Sequence, residues 1–338
     1  MPPLTKQVAN SPSSTTANTG IIQYIVISTE LLLIVFEFIC TLTLAKLLSQ
    51  YLLNQYDPSL YTSQSIQLCS NIICNIIVLI YVLFRFSRRL DMTISQFLSS
   101  ITTDPFKFHH TTVTVLFAHT IGFIVFYIYD NYFSVPSNSY LTLNNWLIHT
   151  QTIDLTSDAG TTEYNLPQIS DMILFAPLRE EIVFRGIILS YLMVKLIQNN
   201  TASANQSNKQ WQIYNCVISG CIFGLIHLLN LFSSSSIYST TYCIAQILLG
   251  ICVGIYYSLH LTLYNNISEL IIMHCCNNLY SSFVPLNITL NIESDMILII
   301  SLSTTFVLYT LLNILSIQQL LQQPYKIFRV PPGKLHDV

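Results

Sequence analysis

Glu180 and Glu181 stand side by side in Ala176-Pro177-Leu178-Arg179-Glu180-Glu181-Ile182-Val183-Phe184-Arg185, with a cation four residues after the second acid. Further on, Phe223 lies one helical turn before His227, Asn230 follows that histidine, and His274 lies one turn before Asn278. The three groups occupy three different apolar segments. Ionisable groups inside membrane-length segments are expensive to bury, so they face a bundle interior or a wet cavity and mark a candidate site. On a helix Glu181 and Arg185 share a face, in the order that favours an ion pair, whereas the helical repeat turns Glu180 away by about 100°. Glu181 can then neutralise Arg185, and Glu180 is left to face a cavity, where a carboxylate away from bulk water is the better base once deprotonated. The plainer reading of this segment alone is mutual neutralisation of Arg179, Glu180, Glu181 and Arg185 near the membrane interface. The histidine and amide pairs on the other two segments favour a site. Two histidines and a glutamate can also bind zinc, but the H-E-x-x-H spacing is missing and the three groups come from three segments. The expectation is therefore a site that holds no metal and no cofactor.

The elements that carry these residues follow from composition. Hydrophobic residues make up 52% of the chain and charged residues 9%, and the mean hydropathy is +0.54. Apolar runs cover 21–48, 66–85, 112–133, 170–195, 212–233, 240–262, 267–284 and 294–317. About 20 helical residues cross a hydrocarbon core, and continuous runs point to helices, since barrel strands would alternate with a period of two. The fold class is all-α, a polytopic membrane bundle of about eight transmembrane helices. Residues 1–20, rich in Ser, Thr, Pro and Asn, read as a disordered N-terminal tail. Residues 21–317 form the membrane domain, and 318–338 a cytosolic C-terminal tail.

Arg85, Arg88, Arg89, Lys107, Lys195, Lys209, Lys326, Arg329 and Lys334 fall beside the loops after spans two and four or beyond span eight, while 134–167 has Asp154, Asp158 and Glu163 but no base. The positive-inside rule then places both termini in the cytosol, with Lys46 as the exception. Of the four N-x-S/T sites, at Asn199, Asn205, Asn266 and Asn287, none is expected to be glycosylated. All nine cysteines lie in apolar stretches without a C-x-x-C pair and read as packing residues. Cys275 and Cys276, beside His274, are the two for which a thiol nucleophile stays open. Glu30 and Glu37 share a face of span one, where packing within the bundle and lining of the same cavity are both open. His119 reads as structural, and His109 and His110 as surface residues of a basic loop. A net charge of −3 without a large basic patch excludes nucleic-acid binding.

The segment from Ala176 to Arg185, Phe223-Gly224-Leu225-Ile226-His227 and His274-Cys275-Cys276-Asn277-Asn278 resemble, in this order, the three motifs of the type II CAAX prenyl endopeptidases, the Ras-converting CAAX protease family. These sit within a wider group that includes bacterial bacteriocin-processing and immunity proteins. The resemblance runs from about Pro177 to Pro285. Two departures stand out: Ile226 where relatives often have Ala, and Leu228-Leu229-Asn230 where they often have further histidines. The third motif also leads into Leu279-Tyr280-Ser281 without a glycine.

The resemblance implies hydrolysis of a peptide bond by glutamate-activated water, removing the C-terminal tripeptide of prenylated CAAX proteins such as Ras-like small GTPases in the endoplasmic reticulum membrane. It implies Glu180 as base, His227 as a partner holding the water, and His274 with Asn278 as donors to the oxyanion, supported by Glu181, Arg185, Phe223 and Asn230. Membrane lipids would contact both the protein and the prenyl chain. Two other classes stand beside this one. A non-catalytic scaffold or chaperone of the same fold would not need Glu180, His227, His274 and Asn278 together. A proton-coupled transporter would use Glu30, Glu37, Glu180 and His227 as a relay and show inverted repeats, and none is visible.

Overall fold

A computed structural model describes residues 14–53, 63–89, 92–102, 108–133, 151–152, 163–164, 169–198, 205–232, 239–282 and 296–323. Each of the eight apolar runs carries a helix: α1 (Ser14–Leu53), α2 (Ser63–Arg89), α4 (His110–Phe133), α5 (171–198), α6 (Asn205–Leu225), α7 (Thr240–Tyr264), α8 (Ile267–Ser281) and α9 (Met296–Gln322). A short α3 (Ile94–Ile101), which the hydropathy pattern does not announce, is held at its start by a reciprocal Thr93 and Gln96 capping box. The remaining regular structure among the described residues is a two-residue antiparallel pairing of Gln151–Thr152 with Glu163–Tyr164.

Five described helices are long and apolar enough to cross a membrane: Val26–Ser49, Leu68–Arg85, Asn208–Leu231, Thr240–Tyr264 and Leu298–Gln322. The chain is thus a multi-pass membrane protein with an all-α bundle. The other three runs are shorter or interrupted. In α4, a helix of 24 residues, the described apolar stretch is His110–Val125, α8 has 15 residues, and α5 carries three charged groups between its two π-helical stretches. α1 already begins at Ser14, so the last part of the stretch assigned to a tail is helical, and α9 runs on to Gln322. Residues 1–13, 134–150 and 324–338, with the acceptor sites at Asn199 and Asn287 and the acids Asp154 and Asp158, lie outside the described residues.

Two features bring the motif-bearing helices together. First, α6 and α7 pack most extensively of all, through Gly220 and Gly224 on one and Gly250 and Gly254 on the other. A Cβ on Gly224 would stand 2.6 Å from the Ile251 backbone nitrogen, and one on Gly254 would stand 2.9 Å from the Gly220 Cα. In lipid no apolar solvent difference drives helices together, so small residues four apart let backbones approach and gain dispersion contact. Second, α7 ends at Asn265, whose left-handed backbone (φ 52°) an Asn tolerates, and Asn266 immediately caps α8 by accepting from the Ser268 N–H. That two-residue turn folds α8 back against α5.

The same turn supports a buried polar knot that hydropathy alone does not show. Glu269 Oε2 accepts from His260 Nε2 at 2.9 Å and from the Thr112 hydroxyl, while Oε1 accepts from the His109 backbone N–H at 3.0 Å and Asn266 Nδ2 at 3.1 Å. The carboxylate ties α4, α7 and α8 together. His109 is therefore a half-buried packing residue, stacked on Tyr264 at 3.8 Å, and not the surface residue its basic loop suggests. His110 is exposed. Asn266, a formal glycosylation acceptor, is buried and occupied by these contacts.

Candidate active site

The acid-bearing helix α5 is not uniform. It opens with a π segment, Asp171–Phe175, passes through one and a half α-turns, Ala176–Glu181, and enters a second π segment, Ile182–Leu189, before returning to α-helix over Ser190–Gln198. π segments inside helices often occur at functional sites. Each here has a backbone carbonyl taken by a side chain from a neighbouring helix: Asn278 Nδ2 donates to the Met172 carbonyl at 2.9 Å, and the Ser219 hydroxyl donates to the Phe184 carbonyl at 3.1 Å. Such insertions stabilise the wider winding where lipid offers no hydrogen-bond partner.

The two adjacent glutamates have different surroundings. Glu181 is fully buried, with Arg185 Nη1 at 3.0 Å from its Oε1 and His274 Nδ1 at 2.7 Å from the same oxygen. Arg185 is fully buried too, and its guanidinium lies 4.1 Å over the Phe223 ring and 5.4 Å from that of Tyr257. Phe223 thus serves as a platform, with its ring also edge-on to His227 at 5.5 Å and to His274 at 5.7 Å. Glu180 is 25% exposed, and its Oε2 lies 3.7 Å from His274 Nε2. With Nδ1–H donated to Glu181, the neutral His274 ring presents an acceptor at Nε2, and its imidazolium form presents a donor there.

Glu180, His227, Asn230, His274 and Asn278 all line one cavity of about 460 Å³, bounded by one stripe of α7 and by Leu302 and Thr305 of α9. His227 lies on a 3-10 stretch, Ile226–Phe232, that continues α6 rather than on an α-helix. It fits against α7 because position 250 is glycine: a Cβ there would meet His227 Cδ2 at 3.3 Å. Asn230 Nδ2 donates to Gln246 Oε1 at 2.8 Å.

Reading the sequence missed three features. Asp171 lines the cavity and holds Arg179 at 2.8 Å, with Asn75 of α2 bonded to the same guanidinium. The signal available was an acid two turns before a base on an apolar run. Gln246 was legible as the one amide inside the apolar run 240–262, and the glycines as paired G-x-x-x-G spacings. Glu37 does not line the cavity: it accepts from Arg85 Nε at 2.9 Å and the Tyr81 hydroxyl at 2.7 Å, across the contact of α1 with α2. His119 packs among Tyr280 and Tyr309. Cys275 and Cys276 are half-buried free thiols outside the cavity lining. Among the described residues no group of three or more His, Cys, Asp or Glu is arranged to hold a metal ion.

No curated protein and no solved structure matches this chain. Residues 162–280, which hold all three motifs, match the family model described as type II CAAX prenyl endopeptidase Rce1-like, so this part of a multi-pass membrane protein is similar to that protease family.

Proposed function

We propose that this protein is an intramembrane endopeptidase that removes the C-terminal tripeptide from prenylated CAAX proteins with a water activated by Glu180 and His227. The observation that carries this reading is the unequal placement of the two adjacent acids. Glu181 is sealed between Arg185 and His274, whereas Glu180 reaches the cavity shared with His227 and Asn278. A water held between Glu180 and His227 gives its proton to Glu180 as its oxygen bonds to the scissile carbonyl carbon. The oxyanion is met by the second N–H of the Asn278 amide and by Nε2–H of His274 in its imidazolium form, whose Nδ1–H stays on Glu181. Glu180 then delivers the proton to the departing nitrogen as the C–N bond breaks, with no covalent enzyme intermediate. Loss of one oxyanion donor typically lowers the rate about 100- to 1000-fold. The amide of Asn278 is held for this role by its bond to the Met172 carbonyl.

Ras-like small GTPases as substrates, and residence in the endoplasmic reticulum membrane, come from the family resemblance and belong to the same proposal. A prenylated substrate requires a cavity open to both the bilayer and a cytosolic peptide tail. The test is purified protein in detergent with a farnesylated CAAX peptide and the same peptide without lipid. The lipidated peptide alone should lose its last three residues, and Glu180→Gln should fold normally yet cleave neither. Near-normal turnover by that variant removes Glu180 from the mechanism, and lipid-independent cleavage removes the CAAX reading.

A further inference from the structure

We infer that Asn230 and Gln246 together form a clamp for the substrate's peptide backbone, about two residues from the bond that is cut. The inference rests on the endopeptidase reading above. The 3-10 stretch after α6 and the facing stripe of α7 meet in successive layers. His227 lies against Gly250, and one turn further along Asn230 Nδ2 bonds Gln246 Oε1 at 2.8 Å. All four residues line the cavity.

Distance and chemistry give the pair its role. Three residues of 3-10 helix rise about 6 Å at roughly 2.0 Å each, and an extended chain advances about 3.3 Å per residue. A substrate strand whose scissile carbonyl sits beside His227 therefore passes the amide pair two residues on. Each primary amide carries two donors and one oxygen acceptor. The bond between them uses one N–H of Asn230 and one lone pair of Gln246, so the Asn230 oxygen and the Gln246 NH2 remain to face the cavity. An acceptor beside a donor matches the N–H and C=O of one peptide unit. Backbone groups of a peptide leaving water need such partners, because burying them unpaired is costly, and neutral amides supply them without bringing a second charge near Glu180. A purely structural bond is a weaker account, since the helices are already joined by the glycine contacts at 220, 224, 250 and 254.

The test combines Gln246→Leu and Asn230→Ala with farnesylated CAAX peptides N-methylated at one backbone amide at a time. Each variant should raise KM about tenfold, the loss of one or two net hydrogen bonds, with kcat held within about threefold. One N-methyl position should raise KM for the wild-type protein by a similar factor and add little in either variant. If every N-methyl penalty persists in full in both variants, or if kcat falls with KM unchanged, the clamp is overturned. Binding of the same peptides to Glu180→Gln protein, read by fluorescence anisotropy, separates the two claims. Non-additive binding losses without cleavage by the wild-type protein keep the clamp and refute the endopeptidase. Cleavage with additive losses does the reverse, and no binding and no cleavage of any prenylated peptide overturns both.

Discussion

The division of labour between Glu180 and Glu181 can be measured by a double-mutant cycle on Glu181 and Arg185. Both side chains are fully buried, and one oxygen of Glu181 carries the bonds from Arg185 and His274. Nε and Nη2 of Arg185, and Oε2 of Glu181, find no other partner among the described residues. Glu181→Gln thus leaves a buried cation with a neutral amide oxygen and the Phe223 and Tyr257 ring faces in place of its carboxylate, and breaking a buried pair destabilises by about 3–5 kcal/mol. Arg185→Gln strands the carboxylate with His274 and also removes the ring contact, worth about 1–2 kcal/mol when desolvated. The double variant removes both charges, so its loss should fall short of the sum by about 2–3 kcal/mol. Glu180, a quarter exposed in the cavity, should couple to Arg185 by less than about 0.5 kcal/mol. Thermal unfolding in detergent of the singles and both doubles reads these energies. Additive losses for Glu181 with Arg185, or equal coupling for Glu180 with Arg185, would refute the assignment of Glu180 as the free base.

Gly250→Ala, whose Cβ would sit 3.2 Å from the Gly224 Cα and 3.3 Å from His227 Cδ2, should lower kcat about tenfold with little change in the unfolding midpoint. Gly224→Ala, with contacts down to 2.4 Å against Ile251, should instead destabilise the fold by about 1–3 kcal/mol or more, seen as a lower midpoint and yield. Activity should survive strong chelators, and loss on chelation with recovery on adding zinc alone would reverse that choice. Burial and the neighbouring His110 and His260 hold His109 below the usual imidazole range. The unfolded chain then binds more protons just below the ordinary histidine pKa, so stability should fall as pH drops through about 6.5. His109→Gln should flatten that slope in unfolding measured from pH 7.5 to 5.5.

How far the sequence reaches depends on the range of the force involved. A bilayer obliges each apolar run to satisfy its own backbone hydrogen bonds, so the eight helical runs are set locally and legible in hydropathy alone. The pairing of Glu181 with Arg185 is equally local, since four residues bring the groups together whether the turn is α or π, and it leaves Glu180 on another face. His109 shows where locality misleads: its charged neighbours in sequence point to solvent, while Tyr264 and Glu269, distant in sequence, bury it.

The site itself is decided by contacts between helices. Nothing near His274 in sequence says that its Nδ1 meets Glu181, 93 residues earlier, or that its other nitrogen turns toward Glu180. Asn278 acquires its orientation from a carbonyl in the first π segment, and that winding is itself stabilised by side chains from other helices. The approach of His227 to α7 depends on a missing side chain at Gly250. Sequence by itself determined which residues are candidates for the chemistry and which helix each rides on, because helix formation and four-residue spacing are short-range effects. Only the tertiary structure decided which oxygen faces which nitrogen, because those distances are set by packing between helices, where a shift below an ångström makes or breaks a hydrogen bond.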